Sequence, residues 1–218
     1  MKNIETLKNK KTKIVLSILA IAVVGMFVQN HFADTNTNQE LNNLNDAAVQ
    51  TLPMPPPNLL KQVGVKSSSF DEAKSKTGLA EAFTPSYVPD GLVIESTRHI
   101  VDPSGNRMLI LYLPAGKTTT EDTSIRQVIE DGMVIEIVRE KPDNNFNWNG
   151  YVSQAVTENP SIRSSTTINN HVVLLIKENP EINYPNMAKI VFGNTRIEVA
   201  SDQFDPTVLA KVLESMVR

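Results

Sequence analysis

An uncharged apolar run at residues 14–28 (IVLSILAIAVVGMFV) constrains the start of the chain more tightly than any other feature of the sequence. A core helix at the surface of a domain carries polar residues at helical spacing, but this run is apolar on every side. As a helix it would be about 22 Å long, whereas the hydrocarbon core of a bilayer is about 30 Å thick. The run therefore fits either the core of a signal peptide or a short membrane anchor.

The flanks of this run favour an uncleaved signal anchor over residues 14–32. Signal peptidase requires two small residues in an Ala-x-Ala-like pattern, and cleavage after Ala33 would place His31 in that pattern. Residues 1–13 contain five lysines and residues 14–60 contain none, so the positive-inside rule places residues 1–13 in the cytoplasm. We therefore predict a single-pass protein of the cell membrane whose C-terminal domain lies outside. Secretion after signal cleavage is the alternative.

Residues 33–58 are typical of a linker rather than of a folded unit. They contain six asparagines and a Met-Pro-Pro-Pro run at residues 54–57, with few large apolar residues for a core. Asn-rich chain is flexible, and consecutive prolines adopt the extended polyproline II conformation. The expected role is a spacer between the membrane and a domain at residues 59–218.

Charge and cysteine content exclude several classes of function. Residues 59–218 carry 16 Lys and Arg against 20 Asp and Glu, a net charge of −4. Nucleic-acid binding needs clustered cations, so we expect no nucleic-acid partner. The chain has no cysteine, which excludes disulfides, thiolate metal sites and cysteine nucleophiles. Its 40% apolar residues are sufficient for a folded core.

The pattern after residue 59 predicts an α+β domain. Ser69 and Glu72 form a capping-box pattern before a helix that ends at Gly78. Further helices are predicted at residues 124–131, 148–157 and 204–217, the last with Asp205 as its cap. Alternating apolar residues predict strands at residues 92–101, 107–113, 133–139, 163–168, 172–177, 188–192 and 195–200. We expect a curved antiparallel sheet of about six or seven strands packed against the C-terminal helix, preceded by one transmembrane helix.

A short motif resembles a known family. The segment Pro85-Ser86-Tyr87-Val88-Pro89-Asp90-Gly91 before a hairpin resembles exported prokaryotic domains of unknown function that carry a Pro-x-Tyr-x-Pro-x-Gly turn. The order of two hairpins and a closing helix at the C terminus is similar as well. The resemblance implies a sheet curved around a helix, distantly similar to the half-barrels of lipoprotein carriers and anti-sigma regulators, which bind or sense rather than catalyse.

No motif in the sequence predicts an enzyme, a cofactor or a metal site. Nucleophile-elbow, phosphate-loop and dinucleotide-turn patterns are absent from the sequence. The histidines His31, His99 and His171 lie far apart, without the spacing of a helical metal pair. An Asn-rich loop starting at Asn145 places a glycine at position 6 of a calcium loop, but Val156 stands where the bidentate glutamate is needed.

Two hypotheses for function follow. The first is a membrane-anchored sensor or ligand-binding module for a hydrophobic molecule or peptide. The second is a structural or assembly component that contacts an envelope protein of the cell surface. A concave cavity between sheet and helix would favour the first, and a flat patch or edge strand would favour the second. For the first, strand residues would line an apolar groove with Trp148 and Tyr184 near its mouth. The lining residues would be Ile110, Tyr112, Ile135, Ile137, Leu174, Ile176, Val191 and Ile197.

Overall fold

Eight β-strands and four α-helices contain most of the residues that the structure describes. The computed structural model describes residues 58–79, 84–102, 105–140 and 146–217. The predicted cytoplasmic tail, the signal anchor and nearly all of the linker, residues 1–57, lie outside the described residues. The described residues from Leu59 onward form one compact unit.

The helices begin at capping residues, because a capping side chain satisfies backbone N–H groups that have no partner within the helix. Ser69 and Asp205 cap the first and last helices, as the sequence predicts: Ser69 Oγ accepts a hydrogen bond from Glu72 N at 3.1 Å. The first helix ends at Gly78, whose φ of 64° lies in the left-handed region. The helices are α1 (Phe70–Thr77), α2 (Ile125–Asp131), α3 (Trp148–Glu158) and α4 (Pro206–Met216).

All eight strands belong to one antiparallel sheet with the order β1-β2-β3-β4-β8-β7-β6-β5. Two meanders therefore meet at the pairing of β4 with β8, and β1 and β5 are the two edge strands. The strands are β1 (Val65–Ser67), β2 (Leu92–Asp102), β3 (Gly105–Pro114), β4 (Met133–Glu140), β5 (Arg163–Ile168), β6 (His171–Ile176), β7 (Asn186–Phe192) and β8 (Thr195–Ser201).

Helices pack on both faces of the sheet, so strand residues are buried on both sides. The face covered by α1 and α4, called the α4 face below, holds the main apolar core, including Ile110, Ile135 and Ile197. The opposite face, called the α3 face, lies under α2 and α3, whose buried residues include Ile129 and Val152. Helix α4 contacts β6, β7 and β8 but has few or no contacts with β5.

The α+β class, the antiparallel sheet and the C-terminal helix are confirmed, and the sheet has eight strands where the sequence predicts six or seven. The additional strand is β1, which pairs three residues with β2. The Asn169-Asn170 turn, with positive φ at both residues, joins β5 to β6 so that Ile168 lies opposite His171. Among the described residues, no helix is long and apolar enough to span a membrane.

Candidate functional site

The residues of the predicted groove lie on opposite faces of the sheet. Five of the eight strand residues predicted to line the groove belong to the α4-face core. Leu174, Ile176 and Val191 are absent from that core because alternate strand residues point to opposite faces. Seven of the eight are buried, and Val191 is partly buried. The structure thus places these side chains in two packed layers and not around one opening. A ligand-binding role for them stays a prediction.

A cleft of about 500 Å³ lies instead at one end of the sheet, beside the edge strand β5. It forms because α4 packs on β6, β7 and β8 and leaves the start of β5 uncovered. Its volume is in the usual range for small-molecule sites, roughly 300 to 1,000 Å³. The lining residues come from the α3–β5 turn, the ends of β5 and β6, and the start of β7 and of α4: Pro160, Ser161, Ile162, Arg163, Ser164, Leu175, Lys177, Glu178, Asn186, Asp205, Pro206 and Thr207.

Backbone and side-chain hydrogen bonds hold the walls of this cleft in place. Lys177 N donates to Ile162 O at 2.7 Å, which joins the turn before β5 to the end of β6. Asn186 Oδ1 accepts from Glu178 N at 2.9 Å. These contacts fix the turn before β5 and the start of β7 against the end of β6.

The rim of the cleft carries charges of both signs above an apolar floor. Leu175 is 8% exposed and Ile162 is partly buried, while Lys177 and Glu178 are exposed. Asp205 caps α4 by accepting from Thr207 N at 2.8 Å and from Val208 N at 3.2 Å. The hydrogen bond from the Thr207 hydroxyl is the main reason that the pKa of Asp205 is lowered.

A second polar cluster lies on the α3 face and is nearly buried. The charged row, as we call it, comprises five side chains that are each at most 16% exposed: Arg107, Glu136, Lys189, Arg196 and Glu198. Register explains their proximity, because Glu136 lies opposite Glu198 and Lys189 lies opposite Glu198 from the other side. Buried charges destabilise a fold unless they are paired with opposite charges.

The ion pairs of the charged row divide unevenly between its two carboxylates. Glu198 Oε2 lies 3.4 Å from Lys189 Nζ and its Oε1 lies 2.9 Å from Arg196 Nε. Glu136 Oε1 is 3.9 Å from Arg107 Nη1, and within the described structure neither this oxygen nor Glu198 Oε1 forms a hydrogen bond. Burial, and next the neighbouring Glu198 carboxylate, raise the pKa of Glu136. Burial opposes the charge of Lys189, but Glu198 together with Tyr184 and Tyr151 outweighs burial, and the pKa of Lys189 is raised.

The two aromatic residues predicted at the groove mouth do not meet at the cleft. Trp148 lies at the start of α3, donates from Nε1 to Val172 O at 2.7 Å and stacks on Tyr151 with ring centroids 5.5 Å apart. Tyr184 lies in the β6–β7 connection, where its backbone pairs with Asn179. Trp148 therefore attaches α3 to β6 and serves packing.

Sequence reasoning missed the cleft because its residues come from four separate segments. The signals present in the sequence were the Pro160 turn before β5 and the Asp205-Pro206 start of the last helix. Neither signal shows that the two segments lie side by side. The described residues contain no group of three or more His, Asp or Glu side chains arranged to hold a metal ion.

Comparison with protein-family models, with curated proteins and with solved structures gives no match to this chain. The resemblance to exported domains with a Pro-x-Tyr-x-Pro-x-Gly turn therefore stays a prediction. Function has to be inferred from the sites themselves.

Proposed function

We propose that this protein is a non-catalytic, membrane-anchored binding module that presents its α+β domain outside the cell and holds an amphipathic small molecule or a peptide segment in the cleft beside β5. The proposal retains the finer expectations from the sequence, which are a transmembrane anchor at residues 14–32 and a sheet that curves around its closing helix. No cofactor and no nucleic acid takes part in it.

The cleft between α4 and the β5 end of the sheet is the observation that carries the proposal. It is a concave site between helix and sheet with apolar residues below and charged residues at the rim. Binding sites for small ligands combine an apolar lining with a few polar groups that fix orientation. An apolar part of the ligand would rest on Ile162 and Leu175, and a polar end would reach Lys177 or Glu178.

The groups at the cleft support binding rather than catalysis. General acid–base chemistry needs a positioned group whose proton affinity suits the reaction, usually in a desolvated site. Glu178 and Lys177 are exposed, and the Asp205 carboxylate is engaged in capping α4. Among the residues lining the cleft, none is a histidine or a cysteine. We therefore assign the cleft a binding role.

Two adjacent residues of β5 offer a matched test of the cleft. Ser164 lines the cleft, whereas Ser165 points to the opposite face, and both are exposed. Ser164→Phe should fill the cleft. Ser165→Phe should leave the cleft open and should change the free energy of folding by a similar amount. Native mass spectrometry of the detergent-solubilised full chain should show a retained host molecule in the parent and in Ser165→Phe, and a bare mass in Ser164→Phe.

A titration with defined probes complements that experiment. We expect sodium oleate and a palmitoylated tripeptide to shift the amide resonances of residues around Ile162 and Lys177 in the parent and much less in Ser164→Phe. A bare mass for the parent, together with no shift from either probe, would refute the cleft as a binding site. The assembly hypothesis would then lead, and the exposed edge strand β5 is the specific observation that favours it.

A further inference from the structure

The two edges of the sheet differ in how they are protected from pairing with another chain. Exposed edge strands present unpaired backbone groups, and proteins protect them with short strands, charged side chains, prolines or bulges. On one edge, β1 has only three residues and carries Lys66 at its centre, and a bulge between Ile94 and Ser96 interrupts the adjacent strand. The β1 edge is therefore protected in three ways: by a short strand, by a lysine and by a bulge.

The other edge, β5, has almost none of them. Its six residues contain neither proline nor lysine, and the four central ones are exposed: Ser164, Ser165, Thr166 and Thr167. The surrounding segment is also depleted in charge, since residues 146–176 contain only Glu158 and Arg163 as charged residues. The centre of a protein–protein interface contains fewer charged residues than ordinary protein surface does.

The backbone of β5 shows which groups face outward. Ile162 O accepts from Lys177 N of the neighbouring strand end, so even-numbered residues bond to β6 and odd-numbered residues point away from it. Ser165 and Thr167 therefore direct their N–H and C=O groups to the outer side. Within the described part of the chain, no strand pairs with that side of β5.

We propose that β5 is a self-association edge, at which two copies of this chain pair antiparallel across a two-fold axis through Thr166. In this register Ser165 lies opposite Thr167 of the second copy, and Thr166 lies opposite its own equivalent. The pairing forms about four backbone hydrogen bonds, two for each outward-facing pair. It joins the two sheets into one continuous antiparallel sheet.

Charge and side-chain chemistry select a second copy as the occupant. The pairs of residues 164–168 in this register are uncharged, and Arg163 lies opposite the uncharged Asn169, so no like charges meet across the axis. Thr–Thr and Thr–Ser pairs on neighbouring strands are favourable. A two-fold contact is the commonest way in which identical chains associate. Ser164 borders the cleft, so the strand of the second copy also closes one side of the proposed ligand site.

Disulfide trapping in the full-length, cysteine-free chain tests the register directly. Residues opposite each other in a non-hydrogen-bonded pair have Cα atoms about 4.5 Å apart, within the range that a disulfide can bridge. With membranes of producing cells and a mild oxidant, we expect Thr166→Cys to give a covalent dimer in high yield. Ser164→Cys should give little, because its equivalents lie about 13 Å apart, four residues along the strand.

Two further variants separate strand pairing from chance collision. Lys211→Cys, on the exposed side of α4, reports the background of random encounters. Adding Ser165→Pro to Thr166→Cys removes an outward N–H at an edge position where proline is tolerated, and it should lower the dimer yield to that background. The proposal is overturned if Thr166→Cys does not exceed Ser164→Cys, if Ser165→Pro has no effect, or if Thr166→Cys is captured mainly by a protein of different mass.

Discussion

Glu136 and Glu198 face each other across β4 and β8, yet their surroundings give them different roles. Glu198 has two cations within 3.4 Å. Arg107 lies 3.9 Å from Glu136, and the attraction of Arg196, Arg107 and Lys189 does not offset the burial of Glu136 and its repulsion by Glu198. A carboxylate that is buried with poor compensation favours its protonated form. The same charged row therefore contains one glutamate with two close ion pairs and one whose ionised form is opposed by burial.

This difference predicts opposite effects of two identical substitutions. The pKa of Glu136 is raised in the folded state, so its ionised form costs stability above that pKa, and the cost disappears as pH falls toward the ordinary value of 4.5. Glu136→Gln should raise the free energy of unfolding at pH 8, with the gain shrinking toward pH 5. Glu198→Gln should lower it by about 3 to 5 kcal/mol, because Lys189 loses its counterion.

Urea unfolding of the solubilised full chain, followed by the fluorescence of its single tryptophan, measures both variants between pH 5 and pH 8. Trp148 is suited to this because its indole contacts β6 and reports separation of α3 from the sheet. If Glu136→Gln and Glu198→Gln lost stability equally, the two carboxylates would be equivalent, contrary to the geometry.

Secondary-structure elements with local signals could be predicted from the sequence, and those that depend on tertiary contacts could not. Ser69 and Asp205 identified helix starts because capping is a local interaction. Strand β1 was missed because three residues carry too little alternation to stand out, and its pairing depends on contact with β2.

The residues predicted to line one groove lie on two faces of the sheet, and tertiary contacts again decide which residues share a face. In β6, both Val173 and Leu174 are buried, although they point to opposite faces. A strand that is apolar on both sides does not reveal which residues share a face with those of a distant strand, because this depends on register. The charged row shows the same limit: Lys189 and Glu198 belong to different strands, and only the pairing of β7 with β8 brings them together.

Asp205 caps α4 through hydrogen bonds from two backbone N–H groups. Asp205→Ala should destabilise the protein by about 1 kcal/mol, since the N–H groups of Thr207 and Val208 lose their acceptor. Asp205→Asn should retain most of that stability, because asparagine is also a favourable cap. The pKa of Asp205 is lowered in the folded state, so the advantage of aspartate over asparagine is present above pH 3.8 and lost as pH falls further.

Thermal unfolding of the three proteins at pH 7 and pH 3 checks this. The same variants also test whether the cleft depends on the cap, because Asp205 lines it. Equal melting temperatures for Asp205→Ala and the parent would show that α4 is held by its apolar side alone.

The sheet separates an apolar layer on its α4 face from a layer on its α3 face that contains charges. The α4 face buries Leu209, Val212 and Leu213 of the closing helix against aliphatic strand residues. The α3 face buries the charged row together with part of α3. The cleft and the free edge of β5 adjoin each other at one end of this sheet, so a ligand and a second copy would meet there.

The topology of the chain is the prediction with the widest consequence, because both proposed sites would then face the exterior. Five lysines before residue 14 and none from there to residue 60 favour a cytoplasmic N terminus. In intact cells, a protease added outside should therefore remove an epitope tag fused after residue 218 and leave a tag before residue 1 untouched. Permeabilised cells, in which both tags should be cut, provide the control. Protection of the C-terminal tag in intact cells would contradict this topology, and recovery of that tag in the medium without added protease would instead support secretion after cleavage.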